Sequence, residues 1–325
     1  MAIKTRVKRS VENELYYLVN TFEEFILEKE ARNLAEPSIR SYRESFVKFC
    51  NFFDFNQDTT TEEINKQMFY KWSGTLKLDG LSINSINHYL RDVRAFCYWC
   101  MDDDRQYIKP SFKIEMLKVQ EAPPKQYTDD ELMAILAKPS VRDSYTDWRN
   151  WCICNFILAT GARASSICSL KIKDVDFKNK DITYYHTKNK KAQVVPLSPS
   201  LETCIKEFIR LWRKGVDEDS YMFCNIGEDK LTTNALWQSL AKYTKARGLD
   251  KTGVHKLRHT FALNWVKNDG NSFKLQKMLG HSRLDMTRNY VNVASQELHE
   301  DFEVYNPLDN LKRKAKRTQM VKRSF

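Results

Sequence analysis

From His255 to Tyr290 the chain reads HKLRHTFALNWVKNDGNSFKLQKMLGHSRLDMTRNY, a stretch dense in side chains that can hold or attack an anion. His255 and Arg258 are three residues apart, so on a helix they leave one face about a turn apart. Leu257, Phe261 and Trp265 give the same segment an apolar stripe, which anchors it while the polar pair faces outward. Three chemistries compete for these residues. In the plainest, the histidines and the tyrosine only cap, pack or meet water. In the second, His255 and His259, one turn apart, join His281 as metal ligands; against it, Lys256 stands where the HExxH pattern needs a glutamate base. In the third, cationic donors grip a phosphodiester and Tyr290 attacks it, which demands further Arg and Lys side chains upstream.

Several elements must position such a site. Gly270 is expected to stop the first helix. A short amphipathic piece, FKLQKMLG, opens after Ser272 and closes at Gly280, and a third begins after Ser282 with Asp285 three residues on, an acidic variant of the capping box, and carries Tyr290. Upstream, an apolar helix from Trp148 to about Ala159 runs into a sharp Thr160-Gly161 turn. Arg163 follows at the start of the next helix, where backbone donors also favour an anion. Strand-like segments cover 174–177, 181–187 and 193–197, with Lys188 at the hairpin tip beside Lys190 and Lys191. Such a lysine is either surface decoration or a cation pushed into a groove, where it can donate a proton. Further helices around Ile205 to Trp212 and Leu236 to Tyr243 carry no chemistry of their own.

The first hundred residues read as four helices, over 11–31, 37–54, 61–77 and the stretch after Ser82, which can cap the last of them. Ile83, Ile86, Leu90, Val93 and Cys97 line one face of that fourth helix. The other shows Asn84, Asn87, His88, Arg91 and Arg94, types that contact phosphates and base edges, although a solvated helix face has the same look. Pro110, Pro123 and Pro124 mark a linker over 109–126, and Thr128 with Glu131 forms a capping box that opens a new helix ending before Pro139. The division expected is therefore a helical domain over 1–108, the linker, a second domain over 127–296 and a terminal segment over 297–325. Two small domains joined by an extended strap could close around duplex DNA.

At 325 residues with 42% hydrophobic content, the chain is long enough for about two domains with packed cores. Its 9 glycines and 8 prolines are few, which favours helix. The formal charge of +11 is that of the two ends: four basic residues between Lys4 and Arg9 and seven between Lys312 and Arg323, with 11–311 in balance. A polyanion-binding surface on the body must then be a local patch offset by acidic surface elsewhere. No apolar run long enough for a membrane span and no secretory segment is present, so the expectation is a cytoplasmic protein without a membrane partner. The 8 cysteines lack zinc-ribbon spacing and read as buried free thiols.

Taken together, Arg163 in TGARASSICSL, Lys188 in HTKNKKAQVVPL, His255 and Arg258 in HKLRHTFA, His281 in LGHS and Tyr290 in TRNYVNV resemble, in order and approximate spacing, the active-site boxes of the tyrosine recombinases, the superfamily of phage integrases and of the Xer and Cre enzymes. The resemblance covers about 128–295, and 11–108 looks like the family's helical core-binding domain. One position departs: many members carry an acidic residue three after the first arginine, and here Ser166 stands there, which implies tuning of a supporting position.

The resemblance implies a mainly α fold with a small β-sheet, a helical N-terminal core-binding domain followed by a mixed α/β catalytic domain. It implies a site-specific recombinase that joins DNA to Tyr290 as a 3′-phosphotyrosine and resolves a Holliday junction, with no cofactor, metal or ATP. Arg163 and Arg258 would grip nonbridging oxygens. His255 would be the base or hydrogen-bond partner of Tyr290, Lys188 would protonate the 5′ oxygen and His281 would donate to the phosphate, which leaves His259 a packing residue. Partners implied are double-stranded DNA, a homo-tetramer on that DNA and accessory DNA-bending proteins. Leu298, Phe302 and Tyr305 have the spacing of a helix that docks one apolar face, in cis or in trans, before Pro307. With about ten residues ahead of the first helix, the expected architecture is of the simpler Xer or Cre type. Alternatives are relaxation of supercoils in the manner of a type IB topoisomerase, or a noncatalytic DNA-binding regulator.

Overall fold

The computed structural model describes residues 16–119, 126–185, 192–249, 253–281, 287 and 290. The chain divides into two compact units, 1–121 and 122–325.

In the first unit four helices enclose an aromatic core: α1 (Leu18–Ala31), α2 (Glu36–Phe52), α3 (Lys66–Leu78) and α4 (Ile83–Cys100). The periodic apolar residues of the sequence are the buried ones, Leu18, Phe22, Phe25 and Ile26 on α1 and Ile39, Phe46 and Phe49 on α2. Phe22 stacks on Phe46 at 3.7 Å between centroids, and Phe96 of α4 meets both rings edge-on. Aromatic pairs of this kind add about 0.5–1.5 kcal/mol to the burial of their area. Ser82 caps α4 by accepting from the Ser85 amide at 3.1 Å.

The third helix starts later than its apolar pattern suggests. Thr60 and Glu63 close a capping box around a single 3₁₀ turn, Thr61–Glu63, and Asn65 then caps α3 separately by accepting from the Gln67 and Met68 amides. Beyond α4, residues up to 119 belong to the first unit: Ile108 and Ile114 are in its core, and Phe112, Met116 and Leu117 pack against it. The prolines and the lack of periodicity make this stretch read as a free linker, whereas single apolar anchors and two hydrogen bonds between the Asn87 amide and Leu117 backbone fix it.

The second unit opens with α5 (Asp129–Leu136), which carries the Thr128/Glu131 capping box. The long α6 (Tyr145–Thr160) follows, and α7 (Ala164–Ser169) after it. A three-stranded antiparallel sheet in the order β1 (Val175–Asp176), β2 (Asp181–Tyr184) and β3 (Gln193–Pro196) comes next, with Ile182 opposite Val175 on one side and Val195 on the other. Then come α8 (Pro199–Trp212), α9 (Thr233–Lys245), α10 (Val254–Lys267) and α11 (Ser272–Leu279). Helix α6 is apolar on every side, as a helix surrounded by others must be: α5, α8, α9 and α10 all pack on it. Its buried polar side chains find partners inside the unit: Arg149 donates to the Cys224 carbonyl at 2.8 Å, Asn150 to Ser239 Oγ at 2.9 Å and Thr160 to the Phe156 carbonyl at 2.7 Å.

Helix α10 ends at Lys267, and Asp269 rather than Gly270 takes the left-handed conformation. Gly270 is required for another reason, since a Cβ there would meet the Trp265 ring at 2.3 Å. The 8 cysteines are free thiols, all buried except the half-buried Cys50. Among the described residues no helix is long and apolar enough to cross a membrane. The hairpin tip with Lys188, the basic ends and the segment after Tyr290 lie outside the described residues.

Candidate active site

Two helix ends build the cationic part of the site. Helix α6 stops at Gly161 and α11 at Gly280, both in the left-handed conformation at φ 65° and 59°. The last carbonyls of a helix lack partners within it and carry the negative end of its dipole. Here they receive guanidinium groups: Arg258 donates to the carbonyls of Gly161 and, at 2.7 Å, of Leu279, and Arg163 donates to the Gly280 carbonyl at 3.0 Å. Side chains 95 positions apart in sequence are thereby held beside one another by backbone dipoles.

Burial, and then the neighbouring Arg163 charge, lower the Arg258 pKa to about 10, which leaves it charged at neutral pH. Arg163 is also pulled down, by burial. Among the described residues no carboxylate pairs with either arginine, and two like charges kept in a partly buried place make a receptor for a phosphate. Gln193 at the foot of β3 donates to the Lys277 and Met278 carbonyls, at 2.9 and 2.6 Å, and so ties the hairpin that carries Lys188 to the end of α11.

The histidines are used in different ways. His281 Nε2 lies 3.1 Å from Arg258 Nη2 and its Nδ1 3.0 Å from Thr287 Oγ1. A guanidinium can only donate, so Nε2 accepts, and the neutral ring carries its proton on Nδ1. Burial first, then the charges of Arg258 and Arg163, lower its pKa to about 4, so this ring is neutral at pH 7. His255, at the exposed edge of α10, sets its ring against Trp237. Its pKa is lowered by the protein around it and by the two arginines.

His259, expected only to pack, is instead the histidine that reaches the tyrosine: its Nδ1 lies 2.7 Å from Tyr290 Oη. The sequence reading ties that contact to His255, one turn earlier on the same face, and a spacing of four on a helix could not discriminate between them. Tyr290 itself is 5% exposed. Burial raises its pKa, and the Arg258 and Arg163 charges act against that rise.

The three-histidine metal reading has a physical obstacle, because both His281 nitrogens and His259 Nδ1 are already bonded to other groups. Among the described residues no group of three or more His, Cys, Asp or Glu side chains is placed to hold an ion. Ser166, where the acidic residue was expected, is buried within α7.

On α4 the expected contact residues fall into three kinds. Asn84 is exposed, and Arg94 lies over the Tyr98 ring at 5.6 Å. Asn87 is half-buried, its amide engaged at both ends with Leu117. His88 and Arg91 are exposed but cross-linked: Arg91 donates to His88 Nδ1 at 2.7 Å and to Asp92 at 3.3 Å. Asp92 is buried and accepts from Ser41 and from Ser45 of α2. This face is organised by a carboxylate that the periodicity places on the boundary of the core.

The Phage integrase family profile matches residues 125–297, and the family's N-terminal SAM-like domain matches 19–104. The chain is 25% identical over 303 residues to the tyrosine recombinase XerC of Thermodesulfovibrio yellowstonii, covering 91% of this chain and 98% of the relative. It is 29% identical over 285 residues to the tyrosine recombinase XerA of Pyrococcus horikoshii, with 86% and 92% covered. Among solved structures, a XerH site-specific recombinase bound to a palindromic difH substrate in a post-cleavage complex superposes with a TM-score of 0.67 at 22% identity, over 91% of this chain and 92% of that one. A lambda integrase dimer bound to a COC′ core site does so with a TM-score of 0.66 at 16% identity, over 84% and 95%. With two arginines, two histidines and a tyrosine assembled at one place, and with matches running through both units, the chain belongs to the phage integrase family and is a site-specific recombinase of the tyrosine type.

Proposed function

We propose that the protein cuts and rejoins double-stranded DNA through a 3′-phosphotyrosine on Tyr290 and a Holliday junction, without metal or ATP. The observation that carries this reading is the setting of Tyr290, whose hydroxyl is bonded to His259 at 2.7 Å and whose ring stacks on His281, itself 3.1 Å from Arg258. Guanidiniums that face one phosphate can each donate to it, and the charge that grows on phosphorus in the transition state falls between them. The phosphate's negative charge also offsets the arginines' effect on His281, which raises its pKa and lets it donate to a phosphate oxygen. His255 donates at the open rim, and Lys188 protonates the departing 5′ oxygen. The phosphotyrosine conserves the energy of the broken bond, so religation needs no nucleotide.

In this scheme the first unit is the core-binding domain and residues 127–296 the catalytic domain. Residues 297–325 act as a docking segment and basic tail within a tetramer on DNA, with accessory DNA-bending proteins a further partner. Asn84, His88, Arg91 and Arg94 face the duplex, and Asn87 is the weakest candidate of the five because its amide already serves Leu117. Arg91→Ala is expected to weaken binding and to reduce the slope of log affinity against log salt by about one unit. Asn87→Ala is expected to lower the stability of the first unit and leave that slope unchanged. Titrations at several salt concentrations, with a duplex selected from a randomised pool, check both.

The deciding experiment traps the intermediate. The selected duplex, nicked close to the cleaved phosphate so that the 5′ fragment diffuses away, is expected to leave a covalent protein-DNA adduct with the wild type and none with Tyr290→Phe. An adduct with Tyr290→Phe refutes the assignment of the nucleophile, and loss of the wild-type adduct in a chelator refutes the metal-free scheme. Relaxation of supercoils by the lone protein, with no exchange between two sites, would favour topoisomerase action.

A further inference from the structure

The scheme above leaves the proton of the nucleophile unassigned. Tyrosine is a weak nucleophile at neutral pH because its ordinary pKa is near 10, and burial raises that of Tyr290 further. The partner of its hydroxyl is in view. His259 Nδ1 lies 2.7 Å from Tyr290 Oη, with ring centroids 5.6 Å apart and the planes tilted by 47°.

We infer that His259 is a catalytic residue, the base that takes the proton of Tyr290 during cleavage and returns it during religation. The inference rests on the proposed role of Tyr290 as nucleophile. The O–H bond of Tyr290 breaks and its proton moves to His259 Nδ1. The electron pair left on Oη forms the new bond to phosphorus, and the bond from phosphorus to the 5′ oxygen breaks. The leaving oxygen keeps that pair and takes a proton from the Lys188 ammonium. Religation reverses each transfer, so His259 ends each round neutral.

Three features fit the role. The acceptor function needs the tautomer with its proton on Nε2, and a neutral ring supplies it. His259 is neutral at pH 7, since burial, then His255 and Arg258, hold its pKa below the ordinary value. The groups that face it are His255 and Arg258 on its own helix, with His281 and Tyr290 beyond. Among the described residues no carboxylate faces it, so none of these groups favours the charged ring that could not accept a proton. Its position on α10 next to Arg258, which is locked to two helix ends, also keeps the base in place relative to the phosphate receptor.

The test compares wild type, His259→Gln, His259→Ala and Tyr290→Phe in adduct formation on the nicked duplex, across pH 5 to 9. A positioned base contributes about 10²–10⁴-fold, so both His259 variants are expected to fall by at least about 10²-fold. The wild-type rate should reach a plateau once the ring is neutral, whereas the variants should climb with pH throughout, as hydroxide replaces the base. Imidazole in solution should restore part of the His259→Ala rate and leave Tyr290→Phe inactive. Rates and pH profiles of the His259 variants equal to wild type, with Tyr290→Phe inactive, overturn the inference and leave the function standing. An adduct with Tyr290→Phe overturns the function itself.

A second measurement needs no DNA. Fluorotyrosine at position 290 is expected to change its ¹⁹F shift and titrate at a different pH in His259→Gln. An unchanged resonance and titration refute the contact, and because the readout is spectroscopic it still applies if the alanine variant folds poorly.

Discussion

Arg258→Lys is expected to lower the rate of adduct formation by about 10²–10³-fold, the effect of removing one preorganised donor at a developing charge. The wild-type guanidinium does several things at once: it donates to the Gly161 and Leu279 carbonyls and to His281 Nε2, and of its five donors that leaves Nε and one hydrogen of Nη1 for a phosphate. A lysine ammonium is a point charge with three donors and no planar fork, so it cannot span both helix ends and also keep donors for the phosphate. Charge alone is therefore insufficient at this position. The same substitution leaves at least one buried carbonyl short of a donor, at about 1–3 kcal/mol, so urea unfolding should record a stability loss of that order. DNA binding through the first unit should persist. A cleavage rate within tenfold of wild type would show that a cation without the fork is enough, and the phosphate receptor described above would be wrong.

How much of this arrangement is visible in sequence depends on whether a signal is local. Helix periodicity, the Ser82 and Thr128 caps and the Gly161 and Gly280 stops are encoded within a few residues, and each stands where the pattern puts it. The late start of α3 escaped the pattern because two capping residues, Thr60 and Asn65, compete over one short stretch. The fixing of residues 109–119 escaped it because isolated anchors have no period. In the site, the residue types Arg163, His255, Arg258, His281 and Tyr290 mark the chemistry, but the roles of the two histidines on α10 depend on where Tyr290 comes to rest. Tyr290 is 31 residues further along the chain, so His259 could not be told from a packing histidine until Tyr290 stood over it. Asp92 went unnoticed for a similar reason: only the serines of α2, distant in sequence, reveal it as the centre of a network.

Gly161→Ala should be among the most destabilising single methyl additions in the second unit. Two costs add at this position. The residue sits at φ 65°, where a side chain costs about 1–2 kcal/mol. A Cβ there would also meet the Phe261 ring at 2.6 Å and Leu279 at 2.7 Å, and overpacking of that kind costs about 1–3 kcal/mol. Phe261 and Leu279 are both buried in the small cluster that includes Tyr290, so an added carbon must displace packed side chains. The expected loss in urea unfolding is about 2–5 kcal/mol. Gly74→Ala supplies the comparison within the same chain: it lies inside α3 with no atom within 4 Å of an added Cβ, so replacing it should stabilise by about 0.5–1 kcal/mol. A loss below about 1 kcal/mol at Gly161 would mean that the end of α6 shifts freely. That would reach the chemistry as well, because the Gly161 carbonyl is one of the two that hold Arg258, and a helix end able to move could not fix a guanidinium against a phosphate.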